Sequence, residues 1–474
     1  MRGSCHVNGV ARLHGKVSQR LFQVLFPGWP EGEIPVSSIT NGVHVPTWHS
    51  EPANQLWSDA YGTDGPWLGN AGAAAKGIEG VSDERLWDYR AEARKTLVDY
   101  VRLRLQRQLR ERNAPEAAVQ KAQRVLDPNR ITLGFARRFA AYKRPNLLLD
   151  DQDRFIRILR NVDRPMQIVV AGKAHPDDNG GKAMVQRVVQ FARRDDVREH
   201  VVFLEDYDMV LAQHFAAGID VWINNPRRPA EAFGTSGMKM LVNGGLHCSI
   251  LDGWWDEAYT PEVGWEIGGT REHSGEHDHD DARALYDLLE QVIAPEFYDR
   301  DHLGAPRVWM RRVRASMTQL TEQFSSDRMV REYVEHAYLP RRGRFCDVPR
   351  TAPGWPASSK HGPRCKTSSG TGCGSVAYSC TRPISGCTLR SKPTWARCAR
   401  ILSAYNFTPK PPAHNWPLAR RSSGRVPFTA PSTATCTGGA CPPIGPRNTT
   451  HRGSCRATPK HSCPRRPRTS SGEN

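Results

Sequence analysis

From residue 131 onward the chain alternates between short, continuous apolar runs and longer stretches in which apolar positions recur every three or four residues. The runs at 131–135, 166–171, 201–204, 219–223 and 247–251 have the length and the Val/Ile content of buried strands. The stretches between them, 145–160, 181–194, 209–217 and 235–244, predict helices. Apolar strands separated by amphipathic helices imply an α/β fold, a parallel sheet covered on both faces. Further helices are expected at 282–297, 307–323 and 326–338. Ahead of the sheet, Leu86, Tyr89, Ala93, Leu97 and Val101 repeat at helical spacing and predict one long helix over 83–125. Its Arg102, Arg104, Arg107 and Arg110 read as a solvated face. Residues 1 to about 60 read as a connecting piece rather than a domain start.

Composition changes this picture at one place. The net charge is +17, but residues 347–474 hold 20 Lys/Arg and 2 Asp/Glu, which leaves 46 basic and 47 acidic side chains in the first 346 residues. The front part is therefore near neutral. The tail is rich in Pro, Ser, Thr, Arg, Gly and Cys, lacks any helical or strand period, and is expected to be disordered because it cannot bury enough apolar surface to offset ordering. The composition shifts within about ten residues of Tyr338-Leu339-Pro340. That abruptness points to out-of-frame translation of a GC-rich gene, with a genuine basic tail as the alternative. No aromatic residues are interleaved with the arginines as a single-strand binder would need, so no nucleic-acid partner is expected. Only Cys5 and Cys248 precede the ten cysteines that run from Cys346 to Cys463, which fits a reduced, cytoplasmic protein. No stretch approaches the roughly 20 apolar residues of a membrane span, so no membrane partner is expected.

The candidate chemistry centres on residues 228–245. A carboxylate, Glu231, precedes a Gly234-Thr235-Ser236-Gly237 turn, and Lys239 follows at once. Small residues let backbone N–H groups approach an anion, and a lysine there can bond covalently to an aldehyde cofactor. Read alone, the segment is equally a tight loop with a solvated lysine. Ligands of parallel sheets bind at the carboxyl ends of the strands. Arg137, Lys173, Tyr207 and the Lys239 loop each follow a predicted strand. His44, His175 and His247 have no helical metal-ligand spacing, and the run from His273 to Asp281 reads as an acidic loop capping a helix, so no metal is expected.

Residues 231–245 resemble the pyridoxal-phosphate lysine region of the α-glucan phosphorylases. In the same order, Ser38-Ile-Thr-Asn-Gly-Val-His-Val-Pro-Thr-Trp48 resembles that family's substrate and cofactor block, and Phe135-Ala-Arg-Arg-Phe-Ala-Ala-Tyr-Lys-Arg144 its basic phosphate block. Gly172-Lys-Ala-His-Pro176 and Glu205-Asp-Tyr-Asp208 resemble its strand ends. The resemblance runs from about Val7 to Pro340 and leans toward the short bacterial branch. It implies the Rossmann-like lobe of a two-lobed, GT-B type glycosyltransferase that cleaves α-1,4-glucan with inorganic phosphate, retaining configuration, to give glucose-1-phosphate. It further implies pyridoxal 5′-phosphate held on Lys239, with Gly234, Thr235 and Ser236 cradling its phosphate, Arg137 near that phosphate, and Trp48 and Tyr207 packed on the cofactor. Arg138 and Lys143 would bind the substrate phosphate, and Asn41, Tyr142 and Glu231 would contact sugar. The Gly-Thr-Ser-Gly-Met-Lys stretch stands where many members have Gly-Thr-Gly-Asn-Met-Lys.

On this reading the chain divides into a connecting segment with helices (1–125), a cofactor-binding lobe (126–340) and the tail (341–474). Val7 to Gly15 resembles an internal segment of the family, so the chain is expected to begin part-way through its parent and to have little phosphorolysis by itself. A nucleotide-sugar glycosyltransferase and an inactive fragment stay open as alternatives, as does a homo-oligomer.

Overall fold

Six apolar runs line up as one parallel sheet in the computed structural model, which describes Ser4 and residues 6–62, 66–270 and 277–339. The expectations for residues 341–474, and for residues 273–276 of the acidic run, lie outside these. A two-residue pair comes first, β1 (Asn8–Gly9) beside β2 (Ser37–Ser38). The main sheet consists of β3 (Ile131–Ala136), β4 (Met166–Ala171), β5 (Val201–Leu204), β6 (Val221–Asn224), β7 (Leu246–Ile250) and β8 (Gly264–Ile267). Their order is β5-β4-β3-β6-β7-β8, every neighbouring pair parallel. Chain order therefore runs outward from β3 on one side and outward from β6 on the other. The crevice above the carboxyl ends of β3 and β6 is the switch point at which such sheets bind ligands. β3, β4, β5, β6 and β7 are buried at every position, as expected of strands covered on both faces.

The helices depart from the sequence pattern in instructive ways. The expected helix over 83–125 stops at Glu111. Asn113 takes a left-handed conformation (φ 53°), Pro115 restricts its predecessor, and a short helix resumes at Glu116–Lys121. The expected helix over 145–160 begins only at Gln152, where the Asp151 carboxylate accepts the Arg154 N–H. The stretch 282–297 starts earlier, at Asp278, and widens into a π-helical turn at Leu289–Ile293 before Pro295, which has no N–H to give the preceding turn. β8 was not foreseen: four residues opening on glycine carry no period, and the strand exists through its pairing with β7. Residues before 62 form helices at Arg12–Phe22 and Glu51–Tyr61, and Trp57 stacks on Trp67 at 5.0 Å within the same apolar cluster as β3.

One buried carboxylate joins the long helix to the sheet. Asp220, immediately before β6, receives Arg94 (Nη1–Oδ1 3.0 Å) and Arg90 (Nη2–Oδ1 3.3 Å) from the helix Asp83–Glu111, and its Oδ2 accepts the Thr132 N–H of β3 at 2.9 Å. Arg90 also donates to the carbonyls of Ala217, Ile219 and Asn243. All three charged residues are 1% exposed. Of the four arginines read as a solvated face, Arg102 and Arg104 are half-buried: Arg102 donates to the carbonyls of Val125 and Leu126, and Arg104 to that of Asp206. Arg104 reaches Asp208, and Arg107 pairs with Glu111 on the surface.

Removing Asp220 leaves two arginines buried without their counter-charge, which typically costs about 3–5 kcal/mol. Asp220→Ala is expected to destabilise by that order in chemical denaturation. Leu103→Ala, on an exposed side chain of the same helix, should be close to neutral.

Candidate functional site at the switch point

The backbone continues the sheet pattern past the end of β3. Arg137 N–H donates to Ala171 O (3.2 Å) and Phe139 N–H to Lys173 O (2.9 Å), so the β3–β4 pairing persists for three residues. Alternation then separates neighbours: Arg137 is buried, Arg138 is exposed and Phe139 is buried. A single helical turn at Ala141–Lys143 follows and delivers Lys143 inward. It ends at Arg144 in a left-handed conformation (φ 44°). That strained residue is held by the carbonyls of Asn225 and Pro226 just after β6 and by Asp278 and Asp281. The ends of β3 and β6 are thereby clamped together.

Glu231 is the point of convergence. Arg137 Nη2 lies 2.5 Å from its Oε2, and Lys143 Nζ lies 3.0 and 3.2 Å from its two oxygens. Its backbone N–H donates to the Asp252 carboxylate at 2.9 Å, which ties the loop to the end of β7. Burial alone would raise the Glu231 pKa, but the charges of Arg137 and Lys143 outweigh it and hold the carboxyl below its ordinary range. Asp252 is the opposite case: burial pushes its carboxyl up to about 7 despite the Glu231 and Gly253 N–H groups it accepts. Among the described residues Arg137 Nη1 is buried without an acceptor. Both ring nitrogens of fully buried His247 are likewise without partners. Burial first, and the Arg137 charge second, lower the His247 pKa to about 3, so the ring is neutral.

Lys239 sits on the helix Thr235–Leu241, which opens at Gly234 with φ 90°, a conformation that favours glycine. Its Nζ stands 3.9 Å from the centroid of the buried Trp48 ring, and no hydrogen bond or ion pair reaches it among the described residues. Burial lowers its pKa. A lysine without a carboxylate and with a depressed pKa is a better nucleophile toward a carbonyl than a solvated one. Trp48 is fixed in turn by Asn243, whose Nδ2 donates to Trp48 O at 2.8 Å. Gly237 lies against His247: a Cβ there would come within 2.4 Å of the ring.

The other sequence candidates distribute unevenly. Arg138, at the end of β3, is exposed and its side chain has no acceptor among the described residues. Tyr142 is half-buried beneath Lys143, whose Nζ is 4.9 Å from the ring centroid. Thr235 is exposed and Ser236 half-buried in the first turn after Gly234. Tyr207 packs on Phe215 (6.1 Å), and burial pushes its hydroxyl up to about 12. The Asn41 side chain pairs with Tyr333 (3.3 Å) rather than with the Glu231 cluster. Sequence reasoning missed Asp252, Arg144 in its clamping role, and Asn243. Asp252 was legible as an acid directly after a predicted strand. The other two act through carbonyls that no motif marks.

Two outcomes follow. Because the folded Glu231 pKa is depressed, its stability contribution is present above the unfolded value of roughly 4.3 and is lost as pH falls through the folded value. Glu231→Gln should therefore flatten the loss of stability on acidification below about pH 4, followed by denaturation at successive pH values. Gly237→Ala drives a methyl group into the His247 ring and is expected to cost about 1–3 kcal/mol, read by thermal unfolding.

Comparison with known proteins gives the family of the chain. The family model described as "Carbohydrate phosphorylase" matches residues 1–265. The chain is 45% identical over 347 residues to the glycogen phosphorylase of Mycobacterium tuberculosis, which covers 73% of this chain and 40% of that protein. It is 37% identical over 338 residues to the glycogen phosphorylase of Aquifex aeolicus (71% of this chain, 48% of that protein). It is 38% identical over 348 residues to the maltodextrin phosphorylase of Thermococcus litoralis (71% and 40%). The chain thus spans about two fifths to one half of the length of these relatives. With more than half of its length matched by that model, and with the parallel sheet and its basic switch point in place, the chain belongs to the carbohydrate phosphorylase family.

Proposed function

We propose that this chain carries the phosphate- and cofactor-binding half of an α-glucan phosphorylase. The reaction is retaining phosphorolysis of α-1,4-glucan to glucose-1-phosphate, with pyridoxal 5′-phosphate as cofactor. The observation that carries the proposal is Lys239, a half-buried amine with no anionic partner among the described residues, lying on the Trp48 ring. The residues around it suit an aldehyde that bears a phosphate: Lys239 offers the covalent anchor, and Arg137 Nη1 is a buried guanidinium nitrogen without an acceptor. Gly234, Thr235 and Ser236 would hold the cofactor phosphate, Arg137 would neutralise it, and Trp48 and Tyr207 would pack on the ring. When bound, the cofactor supplies a phosphate group that can exchange a proton with the substrate phosphate.

The remaining roles belong to the chain itself. Arg138, exposed and uncommitted, captures inorganic phosphate, and Lys143 fixes it from the inner side. By holding the phosphate anion beside the scissile bond, these two cations place negative charge next to the positive charge that develops on the sugar as the bond breaks. Lys143 is shared with Glu231, so phosphate binding draws on a cation already held in place by a carboxylate. Glu231, kept ionised by its two cations, accepts hydrogen bonds from glucose hydroxyls, and Tyr142 supplies a further sugar contact; Asn41 would reach sugar only on leaving Tyr333. Residues 126–340 form the cofactor-binding lobe on this reading. The compartment is cytoplasmic, in keeping with the two cysteines before Cys346; among the described residues no helix is long and apolar enough to cross a membrane. The glycogen and maltodextrin phosphorylases among the relatives support phosphorolysis over nucleotide-sugar transfer.

Borohydride reduction of the chain incubated with pyridoxal phosphate, followed by peptide mapping, tests the proposal. A single adduct on Lys239, absent in Lys239→Ala, is expected. Its formation should depend on a group titrating below the roughly 10.4 of a free lysine. Adducts scattered over surface lysines would overturn the proposal. In the loaded chain Arg138→Ala should weaken glucose-1-phosphate binding by about 10- to 100-fold, measured by calorimetry, as expected for the loss of charge-assisted hydrogen bonds.

A further inference from the structure

A second cavity lies on the outer flank of the edge strand β5, away from every residue of the Glu231 and Lys239 clusters. It has a volume of about 420 Å³ and opens between the end of the helix Asp83–Glu111, the short helix Glu116–Lys121 and the end of the helix Asn179–Ala192. That volume falls within the roughly 300–1,000 Å³ of small-molecule sites. Its surface is largely apolar, formed by Leu105, Leu109, Ala118, Val125, Val201 and Phe203.

The charged residues of the lining are unequal in sign. Arg112, Lys121, Arg124, Arg193 and Arg198 face only Glu199 and Glu205. Arg112 pairs with Glu205, and Arg198 pairs outside the cavity with Asp195. Lys121, Arg124 and Arg193 have no carboxylate or hydrogen-bond partner among the described residues. Three unpaired cations and one unpaired carboxylate, Glu199, therefore surround an apolar hollow with a positive surplus, where the cations would gain by meeting an anion whose body displaces water from the floor.

The wall that carries two of these cations is an excursion of the backbone over residues 113–126. It begins at Asn113 (φ 53°) and ends at Leu126 (φ 60°). A bulky leucine is strained in that conformation, and such strain concentrates at ligand clamps and hinges. Leu126 is held there by its N–H to Glu199 O (2.8 Å), while Arg102 grips Leu126 O (2.7 Å) and Val125 O (2.9 Å). The half-buried Arg102 thus fastens the cavity wall to the long helix.

We propose that this cavity binds a small amphipathic anion, a ring system or short acyl chain that bears one carboxylate or phosphate. The apolar body occupies the floor, and the head group meets Lys121, Arg124 and Arg193. The site is separate from the phosphorolysis machinery and does not depend on it.

The test uses the full chain and four probes: 1-naphthyl phosphate and decanoate, with 1-naphthol and decanol as neutral counterparts, titrated by calorimetry. At least one anion should bind ten times more tightly than its neutral counterpart, and which of the two does so identifies the head group. Lys121→Glu combined with Arg124→Glu should weaken that binding at least tenfold. Ala118→Trp, which fills the hollow, should abolish it. Both variants should keep their far-UV circular dichroism and the Lys239 adduct with pyridoxal phosphate. If Ala118→Trp unfolds, the charge-reversal pair on exposed side chains decides the matter. Binding of neither anion, equal binding of the neutral counterparts, or anion binding that survives the charge reversal would overturn the proposal. The last outcome would place the anion elsewhere, at Arg138 and Lys143 for instance.

Discussion

Two arginines of the helix Asp83–Glu111 reach a single carboxylate, Asp220, that is as buried as they are. Charges taken out of water must be paired and hydrogen-bonded, and here the pairing leaves little freedom. Asp220 also accepts the Thr132 N–H of β3, so the same group sets how β3 and β6 begin relative to each other. Those two strands bound the switch point. Arg137 and Arg138 at the end of β3, and the loop that carries Glu231 after β6, inherit their relative placement from this anchor.

At the other end of the same strands the electrostatics are reversed in purpose. Asp220 is consumed by structure, whereas the cations around Glu231 are only partly consumed. One carboxylate serves both Arg137 and Lys143, and among the described residues Arg137 keeps an uncommitted nitrogen and the exposed Arg138 has no partner. The cluster is thus fixed in position yet retains positive charge for an anion. Lys239 is separated from it chemically: it faces an indole instead of a carboxylate, and burial favours its neutral amine. An amine whose pKa burial lowers and a preorganised cationic pocket on adjacent strand ends suit the phosphate-bearing aldehyde proposed above.

The strained residues mark where the chain is held against its own preference. Arg144 (φ 44°) joins the ends of β3 and β6 beneath the crevice, and Leu126 (φ 60°) closes the wall of the β5 cavity. In both cases hydrogen bonds from an arginine to backbone carbonyls fix the local geometry. Arginine recurs in this role because its planar fork can satisfy several carbonyls at once.

By itself the sequence determined the five apolar strands of the sheet, the helices between them and the placement of Arg137, Lys143, Glu231 and Lys239 after strand ends, because runs of apolar residues and Gly/Ser turns are local signals. It also marked the change of composition near residue 340, since that rests on counts alone. Tertiary structure decided the rest. The four-residue β8 forms only because β7 offers it an edge. Arg90 and Arg94 became anchors, and Arg102 a clasp, because their partners lie far along the chain, where no periodicity can reach. Asn41 was drawn to Tyr333, 292 residues away, and the helix over 83–125 broke where Asn113 and Pro115 turn the chain into a cavity wall. Local pattern fixes what a segment wants to be; which charge meets which, and which backbone must bend, depends on contacts that exist only once the sheet has assembled.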